Sequence, residues 1–155
     1  MKRHPALQDL SRDHFVALNH VVQVRRVVEQ DAFAKPLAEV WSGFVGLWHD
    51  LEPHFDEEEE LLLPFLDDDE RAAGHAARLR DEHGRIRQAF LELGVAPAPD
   101  ETLLWNLAEE LRIHIRWEED HLFQDLQEWL STATLEALGA RNEAFRRSRG
   151  VPVGT

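Results

Sequence analysis

Apolar residues recur in this chain at intervals of three and four, and no stretch alternates apolar with polar as a half-buried strand would. One stripe is Leu10, Ala17, Leu18, Val21, Val24 and Val28; a second is Val40, Phe44, Leu47, Leu51, Leu61 and Phe65. A third is Leu79, Ile86, Phe90 and Leu93, and a fourth is Leu104, Leu107, Leu111, Leu122 and Leu126. Each is the buried side of an amphipathic helix. Ser11 caps a first helix of about 12–30, with Pro5 as an earlier alternative start. A turn over 30–36 precedes a second helix that runs to about 67. Asp67, Asp68 and Asp69 place acid at the start of the third, where the helix dipole favours it. The segment 94–100, with Pro97 and Pro99, is the clearest break. Helix four follows to about Trp129, and Ser131 or Thr132 caps a short fifth helix over about 132–147. Residues 150–155 read as a frayed tail. The prediction is a single all-α domain, 1–155. Four long helices form an up-down-up-down bundle over about 10–130, and a C-terminal helix follows. Pro53 and Pro64 both fall in helix two, where each removes a backbone hydrogen bond. The stripe keeps its phase across them, so a kink is expected rather than two helices.

Polar residues stand on those stripes where the core should be. Helix two reads Phe44, Leu47, Leu51, His54, Glu58, Leu61, Phe65, and helix four reads Leu107, Leu111, His114, Glu118. Helix one has His14 between Leu10 and Leu18, and helix three has His83 between Leu79 and Ile86. Buried carboxylates without partners cost several kcal/mol each, and buried imidazoles need their hydrogen bonds met. Six such groups are tolerable in one core if they converge on a cation. At about 1.5 Å per residue, His54, Glu58, His83, His114 and Glu118 lie about 14–22 Å above the end where helices two and three meet. His14 lies about 5–15 Å above it, so one layer of the bundle can hold all six. His–x–x–x–Glu puts both side chains on one helix face. Four imidazoles and two carboxylates suit iron, manganese or zinc better than calcium or magnesium. Two His per ion with two bridging Glu leave room for an oxo, hydroxo or exogenous ligand. The remaining His, among them His20, His49 and His75, read as surface or packing residues. For His121 a role beside the metal is a minority reading. Glu57, Glu59 and Glu119 read as a solvated face, with filling an open coordination position as the minority reading.

Composition narrows the function. The 155 residues carry a formal charge of −13 and no Cys. Such a charge disfavours a grip on nucleic acid or on an anionic membrane. The absence of Cys leaves any metal site to nitrogen and oxygen donors, without thiolate. No apolar run approaches the ~20 residues a membrane helix needs, and no secretory signal is visible, so a cytoplasmic location is expected.

Four segments carry a family resemblance. They are Leu51-Glu-Pro-His54-Phe-Asp-Glu-Glu58-Glu-Glu-Leu-Leu-Leu-Pro64, Arg12-Asp13-His14, and Asp81-Glu-His83 followed by His114-Ile-Arg-Trp-Glu118. Over about 10–130 the chain resembles the hemerythrin-like HHE cation-binding domain. The resemblance implies a four-helix bundle with a non-haem di-iron centre. It serves in oxygen binding, in oxygen or iron sensing, or in responses to nitric oxide and oxidants. It implies His14, His54, His83 and His114 as terminal ligands and Glu58 and Glu118 as bridging carboxylates. Oxygen-carrying members place a further His one turn away on helix three, but here those positions are Leu79 and Arg87. Their second carboxylate also lies five residues after its His, which would be Glu119; Glu118 is chosen here. One His fewer points away from reversible oxygen carriage and toward sensing, metal handling or redox chemistry. Dioxygen or nitric oxide would be the small ligand. The reading leans toward binding rather than turnover. The alternatives are a di-iron oxidase or peroxidase, and a structural bundle holding zinc or another divalent metal.

Overall fold

The computed structural model describes residues 2–151 and 153–154. In chain order the elements are α1 (Pro5–Val28), α2 (Leu37–Leu61), α3 (Leu63–Asp67) and a 3-10 turn (Glu70–Ala72). Then come α4 (Ala73–Val95), α5 (Glu101–Trp117), a π-helical turn (Glu118–Leu122), α6 (Phe123–Trp129) and α7 (Thr132–Arg149). No strand occurs among the described residues. The fold is therefore all-α, as the apolar spacing predicts.

The starts and stops follow the local chemistry. The first helix starts at Pro5, the earlier of the two expected positions, where the missing N–H costs nothing. The His4 side chain caps it by accepting from the Ala6 amide. Ser11 is thereby freed from capping. Asp100 caps α5 by accepting from the Leu103 amide at 3.0 Å, and Ser131 caps α7 through the Thr134 amide at 3.1 Å. Helix α7 ends at Gly150, whose φ of 68° lies in the left-handed region that glycine enters without a Cβ clash. The two prolines of helix two behave differently. Pro53 is absorbed inside the continuous α2. Pro64 is not: α2 stops at Leu61, and Pro64 lies in the first turn of the separate α3, where a proline is tolerated. The expected frayed tail falls partly on Pro152 and Thr155, outside the described residues.

Four long helical stretches close a ring: α1 packs on α2 and α5, and α4 packs on α2 and α5. Chain neighbours are spatial neighbours, so the connections stay short and the run is up-down-up-down. Helix α7 lies outside the ring against α1 and α2. The core divides in two. One cluster contains Val21, Phe44, Leu51, Phe90, Leu104 and Leu111; the other contains Leu7, Leu10, Leu62, Leu79, Leu122, Phe123 and Leu138. Full burial of such a side chain contributes about 1.5–3 kcal/mol. Between the two clusters lies a polar layer. No helix among the described residues is long and apolar enough to cross a membrane.

Candidate metal centre

All six stripe-breaking residues meet in that layer, and none is more than 2% exposed. His14 comes from α1, His54 and Glu58 from α2, His83 from α4 and His114 from the last turn of α5. Glu118 opens the π-helical turn. Each imidazole presents Nε2 to the interior. His54 Nε2 lies 3.1 Å from His14 Nε2 and 2.9 Å from Glu58 Oε1. His83 Nε2 lies 3.0 Å from Glu58 Oε2. His114 Nε2 is against Glu118 Oε1, which is also 3.8 Å from His14 Nε2. Glu58 therefore spans the layer, one oxygen facing the α1–α2 histidines and the other facing α4.

The His14–His54 contact is a hydrogen bond, but the contacts of Glu58 and Glu118 are close approaches rather than satisfied hydrogen bonds. Both oxygens of Glu58, both oxygens of Glu118, His83 Nε2 and His114 Nε2 are buried with no hydrogen-bond partner of acceptable geometry. Most buried polar groups in folded proteins are paired, so six orphaned atoms at one spot call for an explanation. A cation supplies it, because donors that share an ion point at a common centre rather than at one another. Two donor sets could each hold a metal ion: His14, His54 and Glu58, and Glu58, His83, His114 and Glu118. Within each set one donor atom per residue lies within 4.8 Å of the others. Glu58 belongs to both sets. All-nitrogen-and-oxygen donors of this kind suit iron, manganese or zinc.

Behind each imidazole stands a carboxylate, and these follow a rule around the bundle. Asp13 on α1 meets His54 Nδ1 on α2 at 2.8 Å. Glu59 on α2 lies 3.5 Å from His83 Nδ1 on α4. Glu82 on α4 meets His114 Nδ1 on α5 at 3.0 Å. Glu119, after α5, lies 3.3 Å from His14 Nδ1 on α1. Each is the chain neighbour of one inner donor and serves the histidine of the next helix. At His54 and His114 the carboxylate is hydrogen-bonded to Nδ1, which fixes the ring orientation and leaves Nε2 to bind metal; at His14 and His83 it faces Nδ1 without a hydrogen bond of acceptable geometry. The carboxylates are themselves held. Arg87 Nη1 donates to Glu59 at 2.9 Å, Arg78 Nε donates to Glu82 at 2.9 Å, and the Ser11 hydroxyl donates to Glu119 at 2.9 Å. Asp13 is held by Arg146 of α7, whose Nη2 donates at 2.6 Å.

The electrostatics follow from burial and from these contacts. Burial raises a carboxyl and lowers an imidazole. At Glu58 burial is outweighed by His54, His14 and His83, and the carboxyl is held well below its usual range. Glu118, buried and facing the charge of Glu58, is pushed up. His54 rises well above its ordinary value against the pull of burial, through Glu58 and Asp13. His114 rises likewise to about 10 through Glu118 and Glu82. Burial also acts on Glu59, but His83 and Arg87 hold it at about 2.

The aromatic walls dry the layer. Phe55 stacks on His83 with centroids 3.9 Å apart, and Phe123 stacks on His14 at 5.5 Å. One reading of the outer residues needs correction. Glu57, Glu59 and Glu119 are not a solvated face: Glu57 is 1% exposed and paired with Arg146, and the other two back histidines. His121 is exposed, outside the layer. His20 is half-buried, His49 is exposed and His75 pairs with Asp125 at 2.7 Å, away from the centre. At the two positions one turn from His83, Leu79 lies in the apolar core and Arg87 pairs with Glu59.

The family model for the hemerythrin HHE cation-binding domain matches residues 6–98. No curated protein matches the chain, and no solved structure does. The matched segment carries His14, His54, Glu58 and His83; His114 and Glu118 lie beyond it and reach the layer through the fold.

Proposed function

This chain belongs to the hemerythrin HHE cation-binding domain family, and from that premise we propose that it holds two iron ions in the buried layer. His14 and His54 would ligate one ion, His83 and His114 the other, and Glu58 and Glu118 would bridge them. The observation that carries the reading is the set of orphaned oxygens and nitrogens at the meeting point of four helices. Iron supplies, when bound, open coordination positions and a reversible one-electron change. The protein's own part is fixed by its residues. Asp13 and Glu82 orient the rings of His54 and His114, Glu119 and Glu59 face those of His14 and His83, and the anionic Glu58 presents one oxygen to each side. Phe55 and Phe123 exclude water, so charge at the centre is felt strongly.

The proposed role is sensing or handling of dioxygen, nitric oxide or an oxidant, rather than oxygen carriage or enzymatic turnover. The absence of imidazole at Leu79 and Arg87 supports this, because one ion then has an additional position without a protein donor. The test is to load the protein with iron and add hydrogen peroxide or nitric oxide in excess. A single stoichiometric reaction per centre is expected. Sustained turnover over many equivalents would replace this role with an oxidase or peroxidase.

A further inference from the structure

The ring of carboxylate-backed histidines is broken in one respect. Arg87 and Arg78, which hold Glu59 and Glu82, are 30% and 41% exposed and stand on the bundle's own helices. Arg146 is 2% exposed and comes from α7, outside the ring. Its Nη2 donates to Asp13 Oδ2 at 2.6 Å, and its Nε donates to Glu57 Oε1 at 3.0 Å. That same Asp13 oxygen lies 2.8 Å from His54 Nδ1. One atom thus joins the C-terminal helix to an inner histidine. Removing a guanidinium from water is costly, and it is tolerated where carboxylates answer it. Here two do. Helix α7 is seated independently by Leu138 and Phe145 in the apolar core and by Asn142 Nδ2, which donates to the Ala6 carbonyl at 2.6 Å.

Resting on the proposed two-ion centre, we infer that Arg146 is a positioning residue for one of the two metal positions. Through Asp13 it sets the ring of His54 on the His14–His54 side, by its guanidinium and not by the packing of α7. The His83–His114 side is backed by Glu59 and Glu82 and does not depend on it. The two positions therefore differ in their dependence on Arg146. Loss of the carboxylate behind a metal-ligating histidine costs about 10–100-fold in metal affinity, and Arg146 acts through such a carboxylate.

The experiment titrates the full chain, stripped of metal by chelator, with cobalt(II), reading visible absorption and ions bound per chain. The wild type should bind two. Arg146→Met should keep one at wild-type affinity and weaken the other about 10–100-fold, with Arg146→Lys recovering part of the loss. Leu138→Ala, which loosens α7 without touching Asp13, should lower the melting temperature and leave both affinities unchanged. Equal weakening of both ions in Arg146→Met, or of neither, overturns the inference. So does Leu138→Ala reproducing the selective loss. If Arg146→Met does not fold, Asp13→Asn decides in its place: selective weakening supports the inference, and two unchanged affinities overturn it. A wild type that binds no cobalt overturns the two-ion centre itself and this inference with it.

Discussion

The two apolar clusters and the polar layer between them lie on the same helix faces, yet they obey opposite rules. In the clusters, Phe44, Leu104 and Leu107 are stabilised by leaving water, and their neighbours are interchangeable within limits of volume. In the layer, His14, His54, Glu58, His83, His114 and Glu118 are equally buried, and burial alone works against their charges. The clusters hold the fold together. The layer is tolerated by it, and becomes an asset when a cation satisfies the donors. A bundle can thus carry six polar groups at its centre because apolar packing above and below fixes where they meet.

That contrast can be broken at either region. The largest effect is expected from Glu58→Ala combined with Glu118→Ala. This variant should bind no metal and lose the metal-dependent part of stability, about 4 kcal/mol where free metal stands a thousandfold above its Kd. Thermal melts with and without iron check it, and the variant's two melts should coincide. Leu107→Ala, in the apolar cluster, should cost about 3 kcal/mol in the metal-free and metal-loaded protein alike. Its metal stoichiometry should stay that of the wild type, as denaturant unfolding and metal analysis would show. Glu82→Gln should leave the fold intact and weaken binding 10–100-fold, through the lost carboxylate behind His114; a competitive chelator titration measures this.

Per proton and per pH unit, the smallest effect is a pH dependence whose sign differs between the two states. His54 and His114 are raised by their carboxylate neighbours, His114 to about 10. In the metal-free protein their stabilisation is present below the unfolded pKa of about 6.5 and is lost as pH rises through each raised folded value, about 10 for His114. Metal must displace those protons, so affinity rises over the same interval, by up to about tenfold per pH unit for each proton released. Calorimetry in buffers of different ionisation heat reads the proton release at neutral pH.

The fold was legible because the helical period runs unbroken through each stripe. The inner donors were legible because His and Glu on an apolar stripe violate it. The outer carboxylates were not. Asp13, Glu59, Glu82 and Glu119 each sit beside an inner donor, where a helix face turns toward solvent, and each finds its partner on another helix. Adjacency in the chain carries no sign of that contact. Arg146 was hidden for the same reason, since nothing local distinguishes it from Arg147 or Arg149.

The π-helical turn at Glu118–Leu122 is a different case. His114, Glu118, Leu122 and Leu126 follow one another at intervals of four. At about 3.6 residues per turn, that spacing rotates a stripe by about 120° over its length. One extra residue in a wide turn returns it to within about 20°. The signal was in the spacing, and the turn is what keeps Glu118 in the layer and Leu122 and Leu126 in the core.

The most direct test of the account is the metal content of the wild-type chain, purified without chelator from iron-replete cells. The account predicts about two irons per chain, with charge-transfer absorption in air and a lower melting temperature after the metal is stripped. Protein that carries no metal, or only zinc, and melts at the same temperature before and after stripping would contradict it.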